Sequence, residues 1–146
     1  MATWQEFVEE VPEFAARVHA RLEAHKHKTL ATLRRDGSPR ISGIESEIEG
    51  GELHFGSMWR AVKALDLLRD PRFALHSGSH DPPAWEGDAK VAGTVRAEVR
   101  ESSGNGRYHL FTADIQEAVL VGLNETRDKL VIESWHQGRG LTRTER

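Results

Sequence analysis

Residues 52–71 read ELHFGSMWRAVKALDLLRDP, and the rest of the chain is organised around this stretch. Leu53 and Phe55 alternate with His54 and Gly56, the period-two pattern of a short half-buried strand, which Gly56-Ser57 ends. From about Arg60 the period becomes helical, with Val62, Leu65 and Leu68 on one face and Lys63, Asp66 and Arg69 beside it. Asp70-Pro71 stops the helix, because the proline ring drives the residue before it away from the helical region. A strand that feeds a helix through Gly-Ser gathers unpaired backbone N–H groups, a hydroxyl and basic side chains at one point. That is the chemistry by which a small protein holds a phosphate. An ordinary strand–turn–helix with solvated Lys and Arg has the same letters, since no diagnostic phosphate-loop motif is present.

Upstream, Thr3 and Glu6 fit a capping box, and Trp4, Phe7, Val8 and Val11 form an apolar stripe. Pro12 divides a short helix from a longer one that carries Phe14, Ala15, Val18 and Leu22 and runs to about Ala24. Residues 1–27 thus read as a helical N-terminal segment. Thr29 to Leu33 reads as a strand, Asp36-Gly37 as a hairpin turn, and Pro39 to Glu49 as the returning strand, with Ser42, Ile44, Ser46 and Ile48 on one face. Gly50-Gly51 makes a second hairpin into Leu53–Phe55. Downstream, Phe73 to His76 is a short strand and Ser77 to Gly87 a loop. Asp88 to Glu101 shows the cleanest alternation, with Val91, Gly93, Val95, Ala97 and Val99 on one side. Gly104-Asn105-Gly106 is turn chemistry, Arg107 to Phe111 reads as a helical turn, and two strands follow, near 115–123 and 129–135. Residues 137–146 read as a mobile tail. Hairpin connections dominate, so the expected fold is mainly β (α+β): a six- to seven-stranded antiparallel split β-barrel with N-terminal helices and one helix inserted between strands, as a single domain over 1–146.

Composition bounds the function. The chain has 146 residues, a net charge of -3 and a pI near 6.2, which gives no bulk attraction to nucleic acid. The absence of cysteine excludes disulfides, thiolate metal sites and a cysteine nucleophile. The N-terminus carries no apolar signal core, and no run approaches the roughly 20 apolar residues of a membrane span, so a cytoplasmic location is expected. Eight histidines are present, but none falls into a zinc-binding spacing, and no metal site is expected. Neither the G-x-S-x-G elbow of a hydrolase nor the G-x-G-x-x-G of a dinucleotide fold occurs. Glu45, Glu47, Glu49 and Glu52 read as a solvated carboxylate edge. Trp59, Trp85 and Trp135 stand at strand or helix ends, where an indole either walls a planar ligand or packs in a core or an interface.

Four passages, in this order, resemble the pyridoxamine 5'-phosphate oxidase-like family of FMN- and deazaflavin-binding split barrels. They are LATLRRDGSPRISGIE (Leu30 to Glu45), LHFGSMWRAVKALDLLRDPRFALHS (Leu53 to Ser77), GDAKVAGTVRAEV (Gly87 to Val99) and LVIESWHQGRG (Leu130 to Gly140). The resemblance implies a homodimer with two cofactor sites at the subunit interface and a flavin phosphate near the start of the middle helix. Lys63 matches the family's phosphate lysine. Ala61-Val62 stands where many members have Ser-Arg, so Arg60 and Ser57, with the backbone after Gly56, take over the missing contacts. Arg40, Ser42 and Ile44 border the ring, Trp59 stands beside the corner, and Trp135 closes the site from the other subunit. By this resemblance the chain is an FMN-dependent oxidoreductase acting on a small-molecule substrate. The alternatives are an F-420 type deazaflavin in place of FMN, and a non-catalytic barrel that binds flavin or haem. Such a site leaves redox chemistry to the cofactor, which agrees with the absence of an evident acid or base.

Overall fold

Strand pairing follows the two hairpin turns and then departs from simple succession. The computed structural model describes residues 1–104 and 106–146. Two helices, α1 (Trp4–Glu10) and α2 (Pro12–Glu23), precede β1 (His27–Leu33), β2 (Pro39–Glu49) and β3 (Glu52–Met58). Helix α3 (Val62–Arg69) follows, then β4 (Arg72–His76), β5 (Asp88–Ser102), β6 (Gly106–Leu123), β7 (Leu130–His136) and β8 (Gly140–Glu145). The strands lie in the order β3-β2-β1-β4-β5-β6-β7-β8, and β3 also pairs with β6, which closes six strands into an antiparallel barrel with β7 and β8 as an extension. The expected split barrel with an inserted helix is the architecture found.

Pairing decides where each strand ends. The β2–β3 ladder has only four pairs, from Ser46↔Phe55 to Glu49↔Glu52. Past Phe55, β3 leaves β2 and runs along β6 instead, from His54↔Thr112 to Met58↔Tyr108. The strand therefore does not stop at Gly56-Ser57; β6 supplies hydrogen-bond partners for three further residues. The same pairing overturns the helical turn read over Arg107 to Phe111. Tyr108 to Phe111 are held between β5 and β3, Arg107 pairs with β5, and the whole of Gly106–Leu123 is one strand. The turn read over Gly104-Asn105-Gly106 includes Asn105, which lies outside the described residues.

Residues 137–146 are not a loose tail. The chain turns through Gly138 and Gly140, both at positive φ, and β8 pairs with β7 from His136↔Gly140 to Val131↔Glu145, giving an eighth strand. Across β5 and β6 the register slips between Ala92 and Gly93, and a Cβ on Gly93 would lie 1.9 Å from the Asp114 carbonyl oxygen, so only glycine fits this bulge.

The barrel interior is filled by Leu30, Leu53, Phe55, Leu75, Val91 and Phe111, all buried. Helices α1 and α2 cap it with Trp4, Phe7, Phe14, Val18 and Leu22, the period-3.6 residues of the N-terminal segment. The capping box is present: Thr3 Oγ1 accepts from the Glu6 amide at 3.1 Å and Glu6 Oε1 accepts from the Thr3 amide at 2.9 Å. Trp135 lies in this core at 0% exposure, its ring centroid 4.8 Å from that of Phe7. Trp85 is half-buried in the 77–87 loop and donates to Asp88 Oδ1 at 3.0 Å. Among the described residues no helix is long and apolar enough to cross a membrane.

Trp135→Ala is expected to lower stability by about 3–5 kcal/mol, the range for emptying an aromatic core site. Urea denaturation measures it, and a loss below about 1 kcal/mol would show that Trp135 does not hold the helices on the barrel.

Candidate anion-binding corner

The split between β2 and β3 creates the cleft. Below Ser46↔Phe55, Gly43, Ile44 and Glu45 of β2 keep only their β1 partners, while Gly56, Ser57 and Met58 pair with β6. The gap is a cleft of about 330 Å³, walled by Gly43–Glu45 on one side and Gly56–Met58 on the other, with Ala61 and Lys63 at its end. A Cβ on Gly43 would meet nothing within 4 Å, so bare strand backbone faces open space there.

Strand β3 passes to α3 through a tight turn. The Ala61 amide donates to the Met58 carbonyl at 3.1 Å, and Arg60 stands at φ 59°, in the left-handed region that side chains with a Cβ rarely adopt. The Arg60 amide donates to His109 Nε2 at 3.1 Å. Ala61 is the N-cap of α3 and offers no side-chain hydrogen bond; the first intrahelical bond runs from the Leu65 amide to the Ala61 carbonyl at 3.0 Å. The amides of Val62, Lys63 and Ala64 therefore have no intrahelical acceptor, and they stand at the positive end of the helix dipole. The Lys63 ammonium reaches across the cleft and donates to the Gly43 carbonyl. Ser57 is buried beside it, and Arg60 is exposed at the turn. The corner thus gathers a hydroxyl, unpaired amides and the Lys63 cation, which suits an oxyanion.

A buried carboxylate fixes the helix. Asp66, 2% exposed, accepts from Thr32 Oγ1 at 2.8 Å, Arg40 Nε at 2.7 Å and Arg69 Nη2 at 3.1 Å. Burial pushes its pKa up, but the hydrogen bonds from Arg40, Thr32 and Arg69 outweigh burial and hold the carboxyl below the ordinary range. Arg69 also donates to the Leu33 carbonyl at 2.6 Å. These contacts overturn the expected face of α3. Ala64, Asp66 and Leu67 point inward, whereas Val62, Leu65 and Leu68 are exposed. An aspartate with three donors is satisfied in the interior, so the helix rotates its aliphatic stripe to the outside.

The residues singled out from sequence are only partly brought together. Ile44, Ser57 and Lys63 line the cleft, and Arg60 stands in the adjoining turn outside its lining. Arg40, three residues before Gly43 on β2, lies outside the lining and is committed to Asp66, and Ser42, next to Gly43, has a buried Oγ with no hydrogen-bond partner. Trp59 stands on the flank, stacked on His109 at 4.6 Å with Arg107 4.2 Å from its ring centroid. Trp135 lies in the helix-capped core against Phe7, outside the lining of the cleft. The sequence reading missed His109 and Thr32: both are 34 or more residues from the groups they bond, and His109 falls in the segment read as helical. The carboxylate edge has one further feature. Glu47, Glu49 and His54 bring a ligating atom each within 4.8 Å of one another, on exposed or half-exposed side chains of the β2–β3 hairpin.

No family model matches the sequence, and no curated protein matches it. Solved structures do match. A pyridoxamine 5'-phosphate oxidase-related, FMN-binding protein from Nostoc punctiforme superposes with a TM-score of 0.65 at 11% identity, over 92% of this chain and 95% of that one. PhzG from Burkholderia lata, solved with tetrahydrophenazine-1-carboxylic acid, gives a TM-score of 0.67 at 11% identity, over 97% and 92%. An F420 reductase gives a TM-score of 0.57 at 16% identity, over 68% and 94%. The chain has the split-barrel fold of these proteins, as the order of its sequence motifs implies.

Asp66 makes the fold sensitive to acid in a defined direction. Its folded pKa lies below the unfolded value of about 3.9, so its contribution is complete above that pH and is lost as pH falls through the folded pKa. Asp66→Asn is expected to cost about 3 kcal/mol at neutral pH and to flatten the fall in stability below about pH 4. Urea midpoints measured from pH 7 to pH 2.5 on both proteins check this; parallel curves would count against it.

Proposed function

We propose that the chain binds FMN with its phosphate at the β3–α3 corner, that two copies associate to complete each site, and that the bound flavin performs redox chemistry on a small organic substrate in the cytoplasm. The observation that carries this reading is the uncapped start of α3 beside Lys63 at an open cleft, on a fold shared with FMN-binding proteins. The residues fit the group. Lys63 is a compact cation within reach of a phosphate oxygen once it leaves the Gly43 carbonyl, Arg60 can offer a forked pair of donors, and the amides of Val62 to Ala64 accept no other role. The orphaned Ser42 hydroxyl on the neighbouring strand is a further donor without a partner. When bound, the flavin supplies the electron transfer. The chain's own groups anchor the anionic end, orient the ring along Gly43–Ile44 and exclude water.

A second copy is supported by the apolar surface around the cleft. Met58 is 82% exposed and Ile41 74%, and the outward stripe of α3 adds Val62, Leu65 and Leu68. Exposed apolar side chains in this number are the raw material of an interaction site. The cleft of about 330 Å³ is also at the lower end of the usual 300–1,000 Å³ for ligand pockets, as a half-site is. An F420-type deazaflavin is the second reading, favoured by the likeness to the F420 reductase. A non-catalytic flavin or haem barrel would present the same corner.

The colour of the purified protein separates these readings: bands at about 370 and about 450 nm for flavin, one near 420 nm for the deazaflavin, and a sharp intense one for haem, since the chromophore belongs to the ligand. In an FMN titration, Lys63→Ala is expected to weaken binding about 10- to 100-fold with little change in thermal midpoint, the scale of one charge-assisted hydrogen bond. Equal affinities would remove the phosphate assignment. Sedimentation at micromolar concentration is expected to show dimers; monomers alone would remove the shared site.

A further inference from the structure

We propose that His109 is a positioning residue for the anion corner, holding the β3–α3 turn in its left-handed conformation from the opposite strand; the proposal rests on the cofactor reading above. Arg60 is not glycine, yet its φ is 59°, a conformation that needs outside support in a residue with a Cβ. That support is visible. The Arg60 amide donates to His109 Nε2 at 3.1 Å, so the imidazole carries its lone pair on Nε2 and its proton on Nδ1. His109 is 3% exposed and sits in the barrel seam, where it pairs across the ladder with Ser57. The face of the same ring stacks on Trp59 at 4.6 Å and 13°. Arg107, two residues earlier on the same strand, lies 4.2 Å from the Trp59 centroid. One histidine therefore grips two consecutive residues, Trp59 by its face and Arg60 by its edge.

The consequence is functional geometry. The left-handed residue reverses the chain between β3 and α3, and Ala61 follows as an N-cap with no side chain to spend on the helix amides. In most helices the capping side chain both ends the helix and occupies those amides. Here His109 fixes the turn from outside, and the amides of Val62, Lys63 and Ala64 stay free for an anion. The acceptor is the element that matters, and stacking on Trp59 is separable from it.

Two substitutions divide these roles. His109→Phe keeps a ring against Trp59 and removes the acceptor; His109→Gln places an amide oxygen at about the Nε2 position. With FMN as the probe, His109→Phe is expected to bind about tenfold more weakly than wild type, and His109→Gln within about threefold, while thermal midpoints and near-UV circular dichroism show both folded. Lys63→Ala, measured alongside, reports on the site itself. If Lys63→Ala weakens binding but His109→Phe does not, or if Gln fails as badly as Phe, the positioning role is overturned and the phosphate assignment stands. If wild type binds no FMN, or Lys63→Ala binds as wild type does, the cofactor reading falls and the proposal falls with it. Should His109→Phe not fold, the wild-type protein decides: a 15N–15N coupling across the hydrogen bond between the Arg60 amide and His109 Nε2 is expected, and its absence overturns the proposal.

Discussion

Asp66 accepts hydrogen bonds from β1, β2 and α3 at once, and through it the inserted helix is fixed to the mouth of the barrel. A carboxylate buried to this degree is unstable in an apolar interior unless it is paired and hydrogen-bonded. Thr32, Arg40 and Arg69 satisfy it, and in doing so they specify the rotation and the axial position of α3. The first turn of the helix then has one place to go, the gap where β2 and β3 part. Lys63 lies three residues before Asp66, nearly one turn earlier, and its ammonium meets β2 at Gly43. The cleft is thus a by-product of where a buried charge is anchored.

The barrel can open at that point because β6 takes over. Its 18 residues serve β5 from Gly106 to Val121, β3 near the start and β7 near the end. Closing β3 onto β6 removes the edge that a split sheet would otherwise expose. The bulge at Ala92/Gly93 lets two such long strands stay paired as they wrap, at the one place where the Asp114 carbonyl approaches too closely for any side chain. Strand β6 also delivers His109 and Arg107 to the turn beside the cleft, so the strand that closes the barrel also shapes the corner.

Much of this was legible locally. The hairpin turns at Asp36-Gly37 and Gly50-Gly51 and the capping box at Thr3 and Glu6 follow from short-range chemistry and are present, and the alternation from Asp88 holds as far as Val95, beyond which Ala97 and Val99 are exposed. What failed was decided at a distance. Gly56-Ser57 looks like a strand end because nothing in the nearby sequence shows that Leu110 and His109 lie opposite. Arg107 to Phe111 looks helical until two neighbouring strands claim its backbone. The stripe Val62, Leu65, Leu68 has the spacing of a core face, and the inward turn of Asp66 depends on partners 26 and 34 residues away. At the candidate corner, Ser57 and Lys63 could be singled out together because that part of the cleft is contiguous in sequence. Trp135 was misplaced because an indole at a strand end is equally suited to a ligand wall and to a core, and only the packing of Phe7 decides between them.

The misread face of α3 bears on how the site works. Its inner side carries the carboxylate anchor, its outer side the aliphatic stripe, and its first turn the free amides. Met58 is at once a wall of the cleft and one of the most exposed apolar side chains. On the proposed reading, a cofactor in the cleft and a second copy on the apolar face therefore touch the same residues. Two ligands that order the same turn favour one another, by an amount that must be equal in both directions. Cofactor binding would then tighten association as much as association tightens cofactor binding, and the turn pinned by His109 is the element on which both depend.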